Sequence, residues 1–215
     1  MQRLRFFYTK GEPVKFVGHL DLARMWERAL RRAGLPVAYS QGFNPQLRIQ
    51  FASALPVGCS GVAEVADLWL GEPIAPEAFI ARAQPQLPAG VRIYDVREVD
   101  LNLPSLQSQV DQAEYTIQVD IRETPADVAA IVANFLAAPE VIRIRPRDGK
   151  AYDIRALVDD LQCRGTTADG WTLLFARLAS RAGATGRPDE LLEALTLGDQ
   201  PRRIERTRLI FAPPS

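Results

Sequence analysis

Segments of period two and segments of helical period follow one another along this chain in a single order, and the order occurs twice. Arg3–Thr9 (RLRFFYT) alternates and reads as a strand. Over Leu20–Ala33 the period changes. Leu22, Met25, Trp26, Ala29, Leu30 and Ala33 share one side of a helical wheel, and Gly34 stands where a glycine ends a helix. Short strands are expected at Pro36–Ser40 and Leu47–Ala54, around the turn Gln41-Gly42-Phe43-Asn44-Pro45, with a longer one at Val62–Leu70. A helix opening on Pro76 and a strand at Val91–Val99 complete the first half.

Leu101–Gln112 is polar, with little periodicity, and reads as a linker. Beyond it the order recurs. Tyr115–Ile121 alternates. Thr124-Pro125-Ala126-Asp127 carries the signals of a helix start, for a helix on Val128, Ile131, Val132, Phe135 and Leu136. Strands are expected at Val141–Arg145 and Trp171–Leu178, and Ala151–Cys163 leans towards strand. Pro188 opens a helix on Leu191, Leu192 and Leu195, and Arg203–Phe211 closes as a strand. Strand–helix–strand–strand–helix–strand, twice, predicts an α+β fold of two tandem ferredoxin-like (βαββαβ) halves with antiparallel sheets. The expected division is residues 1–100, a linker at 101–112, and residues 113–215.

Composition narrows the function classes. With 47% apolar residues over 215 positions the chain can bury a core. No stretch approaches the roughly 20 apolar residues of a membrane span, and the first residues turn polar too soon for a signal peptide. The two cysteines, Cys59 and Cys163, are far apart, which favours a reducing, cytoplasmic setting over a disulfide framework. A single histidine and scattered cysteines predict no metal site and no cofactor. Neither a P-loop, a GxGxxG after a strand, an HExxH nor a GxSxG is present.

Charge is uneven although the net is zero. Residues 1–60 hold nine Lys/Arg against three Asp/Glu; the remainder holds 17 against 23. In the first helix Arg24, Arg28, Arg31 and Arg32 fall within about a quarter of the circumference, at roughly 100° per residue. Guanidinium groups grip phosphates bidentately and stack on bases, so this stripe suits RNA or another polyanion. A solvated face with local pairs such as Asp21–Arg24, or docking on an acidic partner, is the alternative. Arg48 shares the polar face of its strand with Gln50, and Phe43 at the turn is placed to stack on a base. His19, at the start of the helix, is the one candidate for proton transfer, with Tyr8, Lys10, Lys15 and Tyr39 as candidate assistants. It can equally cap the helix or pack beneath it.

The run Lys15–Gly58, KFVGHLDLARMWERALRRAGLPVAYSQGFNPQLRIQFASALPVG, resembles a bacterial family of radical-SAM-linked proteins. Phe16, Gly18-His19-Leu20-Asp21, Arg24, Arg28-Ala29, Arg31 through Pro36, Gln41 through Pro45, Phe51, Leu55-Pro56 and Gly58 carry the resemblance. It implies a domain fused behind, or encoded beside, a B12-type radical SAM protein, and a setting in RNA modification or processing. The chain lacks the CxxxCxxC that would hold a radical SAM cluster, so any radical chemistry falls to a partner polypeptide. Three readings stand at this point: an RNA-binding or substrate-presenting accessory of a radical SAM protein, a metal-independent endoribonuclease using His19, and an assembly scaffold without nucleic-acid contact.

Overall fold

A computed structural model describes residues 1–122, 127–145 and 149–213. The fold is mixed α+β with largely antiparallel sheets and few helices, and the chain divides into two compact units, Met1–Val110 and Asp111–Pro213.

The first unit runs β1 (Gln2–Lys10), α1 (His19–Arg32), β2 (Ile49–Phe51), β3 (Cys59–Leu70), α2 (Pro76–Ala83) and β4 (Val91–Val99). Its strands lie in the order β4-β1-β3-β2, each adjacent pair antiparallel. Alternation in β1 decides what each face carries. Leu4, Phe6 and Tyr8 point into the core, where they meet Leu22, Trp26 and Leu30 of α1 and Phe79 and Ala83 of α2. Trp26 sits at the centre, 4.8 Å from the Phe6 ring and 5.1 Å from the Tyr8 ring.

The opposite face of β1 is the unexpected one. Arg3 and Arg5 both bond Asp67 of β3, at 2.6 Å and 2.8 Å, and Arg3 and Asp67 are buried. Arg3 also donates to the backbone oxygens of Leu103 and Pro104, so the segment expected to be a linker closes over this ion cluster. Leu106, in a short 3-10 turn of the same segment, is buried, and its N–H is accepted by the Gln50 side chain.

Pro36–Ser40 forms no regular strand. Pro36 has no N–H to give, and the segment instead makes irregular bonds, Ala38 N–H to Trp69 and Pro36 C=O from Gly71, with isolated bridges at Val37–Leu70 and Tyr39–Leu47.

The second unit runs β5 (Val110–Val119), α3 (Val128–Ala137), β6 (Ile142–Ile144), β7 (Ala151–Asp153), β8 (Val158–Thr166), β9 (Thr172–Arg181), β10 (Ala184–Thr185), α4 (Pro188–Ala194) and β11 (Arg202–Phe211). β9 lies between β5 and β8, and β11 bonds β5. β10 folds back on the end of β9. The strand expected at Val141–Arg145 does not join this sheet. It is β6, which pairs with β7 as a separate hairpin, and the place beside β9 goes to β8. Asp127 caps α3, its carboxylate accepting from Ala130 N–H; Thr124, Pro125 and Ala126 lie outside the described residues.

Just past β5, Asp120 takes three bonds from Arg122, and these hold its carboxyl at about 2. A value below the unfolded one means the clamp acts fully above the ordinary carboxylate range and is lost as pH falls towards 2. An NMR pH titration of the Arg122→Gln variant is expected to show Asp120 returned towards its ordinary value of 3.8.

Candidate nucleic-acid interface

Helix α1 exposes its arginines because every residue the core needs is on the other side. Leu22, Trp26, Ala29 and Leu30 are buried, whereas Arg24, Arg28, Arg31 and Arg32 are exposed. The helix stops at a glycine that turns left-handed. Gly34 adopts φ +62°, and Leu35 N–H reaches back to Leu30 C=O, the bond that closes a Schellman cap. Arg82 of α2 then donates to the Ala33 and Gly34 carbonyls, which α1 itself leaves unpaired.

A groove of about 470 Å³ follows from this docking of α1 beside the end of α2. Arg24, Arg28 and Arg32 line one wall, and Gln86, Leu87 and Pro88 the other. Two of these arginines are partly engaged. Arg24 pairs with Asp21 at 3.2 Å, both well exposed, and Arg32 donates to the Gln86 carbonyl at 2.8 Å. An exposed i,i+3 pair is worth only about 0.2–0.5 kcal/mol, so it does not hold Arg24 against a phosphate. The guanidinium groups of Arg28, which lines the groove, and of Arg31, one turn further along α1, have no hydrogen-bond or ion-pair partner among the described residues. The wheel pattern thus located the four arginines, but the wall supplied by residues 86–88 had no sequence signal, because it depends on how α2 ends.

The other expected site residues lie elsewhere. Phe43 is fully exposed at the tip of a loop whose neck is tied by Ser40 and Gln46, each bonded to the other. Arg48 is half-buried, with its guanidinium 5.0 Å from the Trp69 ring centroid; Arg3 lies 4.7 Å from the same ring. That stacking occupies Arg48 with the fold itself. His19 is the exposed first residue of α1, preceded by Gly18 at the cap position. Its ring meets the edge of Phe51 at 5.4 Å, and it has no hydrogen-bond partner among the described residues. Of the candidate assistants, Tyr8 and Lys10 are buried; Lys10 Nζ donates to the Lys15 carbonyl, and Lys15 Nζ pairs with Glu12 at 2.8 Å. Tyr39 is exposed. Phe16, Leu20 and Val57 are largely exposed, and Val57 lies next to Gly18, the residue before His19.

A protein-family model described as "Uncharacterized protein conserved in bacteria (DUF2344)" matches residues 3–188. The chain belongs to this family. The match spans the helix, the groove and the Phe43 loop, and ends at the first residue of α4. No curated protein matches. Among solved structures the chain is similar to one titled "Crystal Structure of a Cbf5-Nop10-Gar1 Complex", at 14% identity and a TM-score of 0.48. That likeness covers 95% of this chain and 49% of the other, so the chain spans about half the length of the protein it matches. Among the described residues no helix is long and apolar enough to cross a membrane.

Proposed function

We propose that this chain is an RNA-binding accessory protein, that the arginine face of α1 is its contact surface, and that it presents RNA to a radical SAM partner for modification or processing. The observation that carries the reading is the pair Arg28 and Arg31: both exposed, their guanidinium groups unpaired among the described residues, with Arg28 lining a groove that Arg24 and Arg32 also border. Surface guanidinium groups without carboxylates to neutralise them present a positive field and free planar forks, which phosphate oxygens satisfy. The two units are read as two βαββαβ folds of the ferredoxin-like kind. The strand orders β4-β1-β3-β2 and β11-β5-β9-β8 support this, being the same order once the separate β6–β7 hairpin and the short β10 are left out and the remaining strands of each unit are counted from its first. The partner is inferred from the resemblance of Lys15–Gly58.

Filter binding of a structured RNA at one moderate salt concentration tests the contact. Arg28→Gln with Arg31→Gln is expected to fold normally and to bind on the order of tenfold more weakly. Lysines at the same two positions should restore only part of the loss, since an ammonium cannot reproduce a bidentate fork. Unchanged RNA affinity together with loss of a protein partner in pull-down would reassign the face to docking.

A further inference from the structure

A second cavity lies wholly within the second unit, and no residue of α1 belongs to it. Its volume is about 840 Å³, in the ~300–1,000 Å³ range of small-molecule sites. Four guanidinium groups line it: Arg143 and Arg145 from the β6 strand and its end, Arg187 from just before α4, and Arg202 from the start of β11. Arg143 stands directly opposite Tyr152 in the β6–β7 register, so the two share a face of the hairpin, and Arg145, two residues on, shares it too. Ile142 and Ile144, at the alternate positions, are exposed.

The carboxylates in the cavity have identifiable work. Asp189 accepts from both Nε and Nη2 of Arg187, at 3.1 and 2.8 Å, and fixes that guanidinium in place. Glu190 accepts from the Tyr152 hydroxyl. Burial, and then the bond to Glu190, push the Tyr152 phenol far above its ordinary range, so it stays a protonated donor. Glu193 stands 3.9 Å from Arg143, too far for a tight pair. One Nη1–H of Arg202 donates to the Gly198 carbonyl, and the Arg145 guanidinium lies 5.4 Å from the Tyr152 ring centroid. Among the described residues that line the cavity, four positive side chains face three negative ones, and an added anion would meet a positive balance.

We propose that this cavity binds a nucleotide, its phosphate held by the guanidinium groups of Arg143 and Arg202 and its sugar hydroxyls donating to Glu193. Planar forks reaching in from two separate elements suit a group with several acceptor oxygens in different directions, which describes phosphate better than carboxylate. Inorganic phosphate alone would leave most of 840 Å³ unfilled. The carboxylates, which would repel a second phosphate, are the natural acceptors for neutral hydroxyl donors.

The test is calorimetric titration of the full chain with the four ribonucleoside 5′-monophosphates and, in parallel, with the four nucleosides. At least one monophosphate is expected to bind, with its nucleoside at least about tenfold weaker, as loss of hydrogen bonds to a charged group implies. Arg143→Gln, at a partly exposed position, should weaken the monophosphate by about tenfold, and Arg143→Lys by less. Arg28→Gln with Arg31→Gln should leave this titration unchanged. The proposal is overturned if no monophosphate binds at millimolar concentration, or if nucleoside and monophosphate bind alike. It is also overturned if Arg143→Gln binds as the parent does, or if the α1 variant abolishes binding. A 5′-phosphorylated oligoribonucleotide that binds where no free monophosphate does would overturn the assignment to a free nucleotide.

Discussion

Asp67→Asn is expected to destabilise the first unit by about 3–5 kcal/mol, the usual cost of leaving a buried charge without its partner. Asp67 is wholly buried and receives four bonds, two from Arg3 and two from Arg5. Arg3 is nearly as buried and has no access to water that could replace the lost carboxylate. Its other two acceptors, the carbonyls of Leu103 and Pro104, are neutral. Arg5→Met should cost less, because the Arg3–Asp67 pair survives it and Arg5 is the more exposed of the two arginines. Arg3→Met combined with Asp67→Leu should cost less than the single changes summed, since replacing a buried pair by apolar side chains removes both desolvation penalties together. Urea unfolding of these variants, with the parent and the two single changes alongside, reads all of this. A near-neutral Asp67→Asn would mean that the cluster is solvated.

Trp26→Ala is expected to cost about 3–5 kcal/mol, within the range for emptying a large aromatic site. Against a typical total of about 5–15 kcal/mol, that can unfold the unit. Trp26 is fully buried and fills the space between α1 and the Phe6 and Tyr8 side of β1. Its indole Nε1 has no hydrogen-bond partner among the described residues, so Trp26→Phe removes an unsatisfied donor while it opens a smaller void. That variant should lose distinctly less than Trp26→Ala in the same urea series, whereas loss of an engaged polar group would make the two comparable. The arginine face depends on this packing. Without Trp26 the helix keeps only Leu22, Ala29 and Leu30 in the core, and its arginines are held less firmly.

Periodicity made α1 legible nearly to the residue. The expected Leu20–Ala33 is His19–Arg32, because a strong apolar stripe and a glycine that must take positive φ both leave marks in one short window. Val91–Val99 was equally plain, as β4 has the same bounds. The buried Arg3–Asp67–Arg5 cluster was not legible. Alternation in β1 assigns Arg3 and Arg5 to a polar face, and polar faces are read as solvated, yet a partner more than 60 residues away draws Arg3 inside. A trace of it existed in Asp67 itself, a lone acid in the otherwise apolar run Val65–Leu70. The β6–β7 hairpin was misplaced for a related reason: a three-residue strand carries no mark of which sheet it joins. On the candidate site, local pattern gave the arginines and their exposure. The groove wall at residues 86–88 and the stacking of Arg48 on Trp69 come from tertiary packing, which no local window contains.

Whether the α1 face meets phosphate is tested most directly by the salt dependence of RNA binding. Each phosphate that an arginine neutralises releases condensed counterions, so the logarithm of the affinity falls linearly with the logarithm of the salt concentration. Measured from low to moderate salt, the parent protein should give a steep line. Arg28→Gln with Arg31→Gln should give one that lies lower throughout and is shallower by about 0.7–0.9 for each phosphate no longer neutralised. Two lines of the same slope would contradict an RNA-binding face on α1, because they would mean that neither arginine touches the RNA backbone.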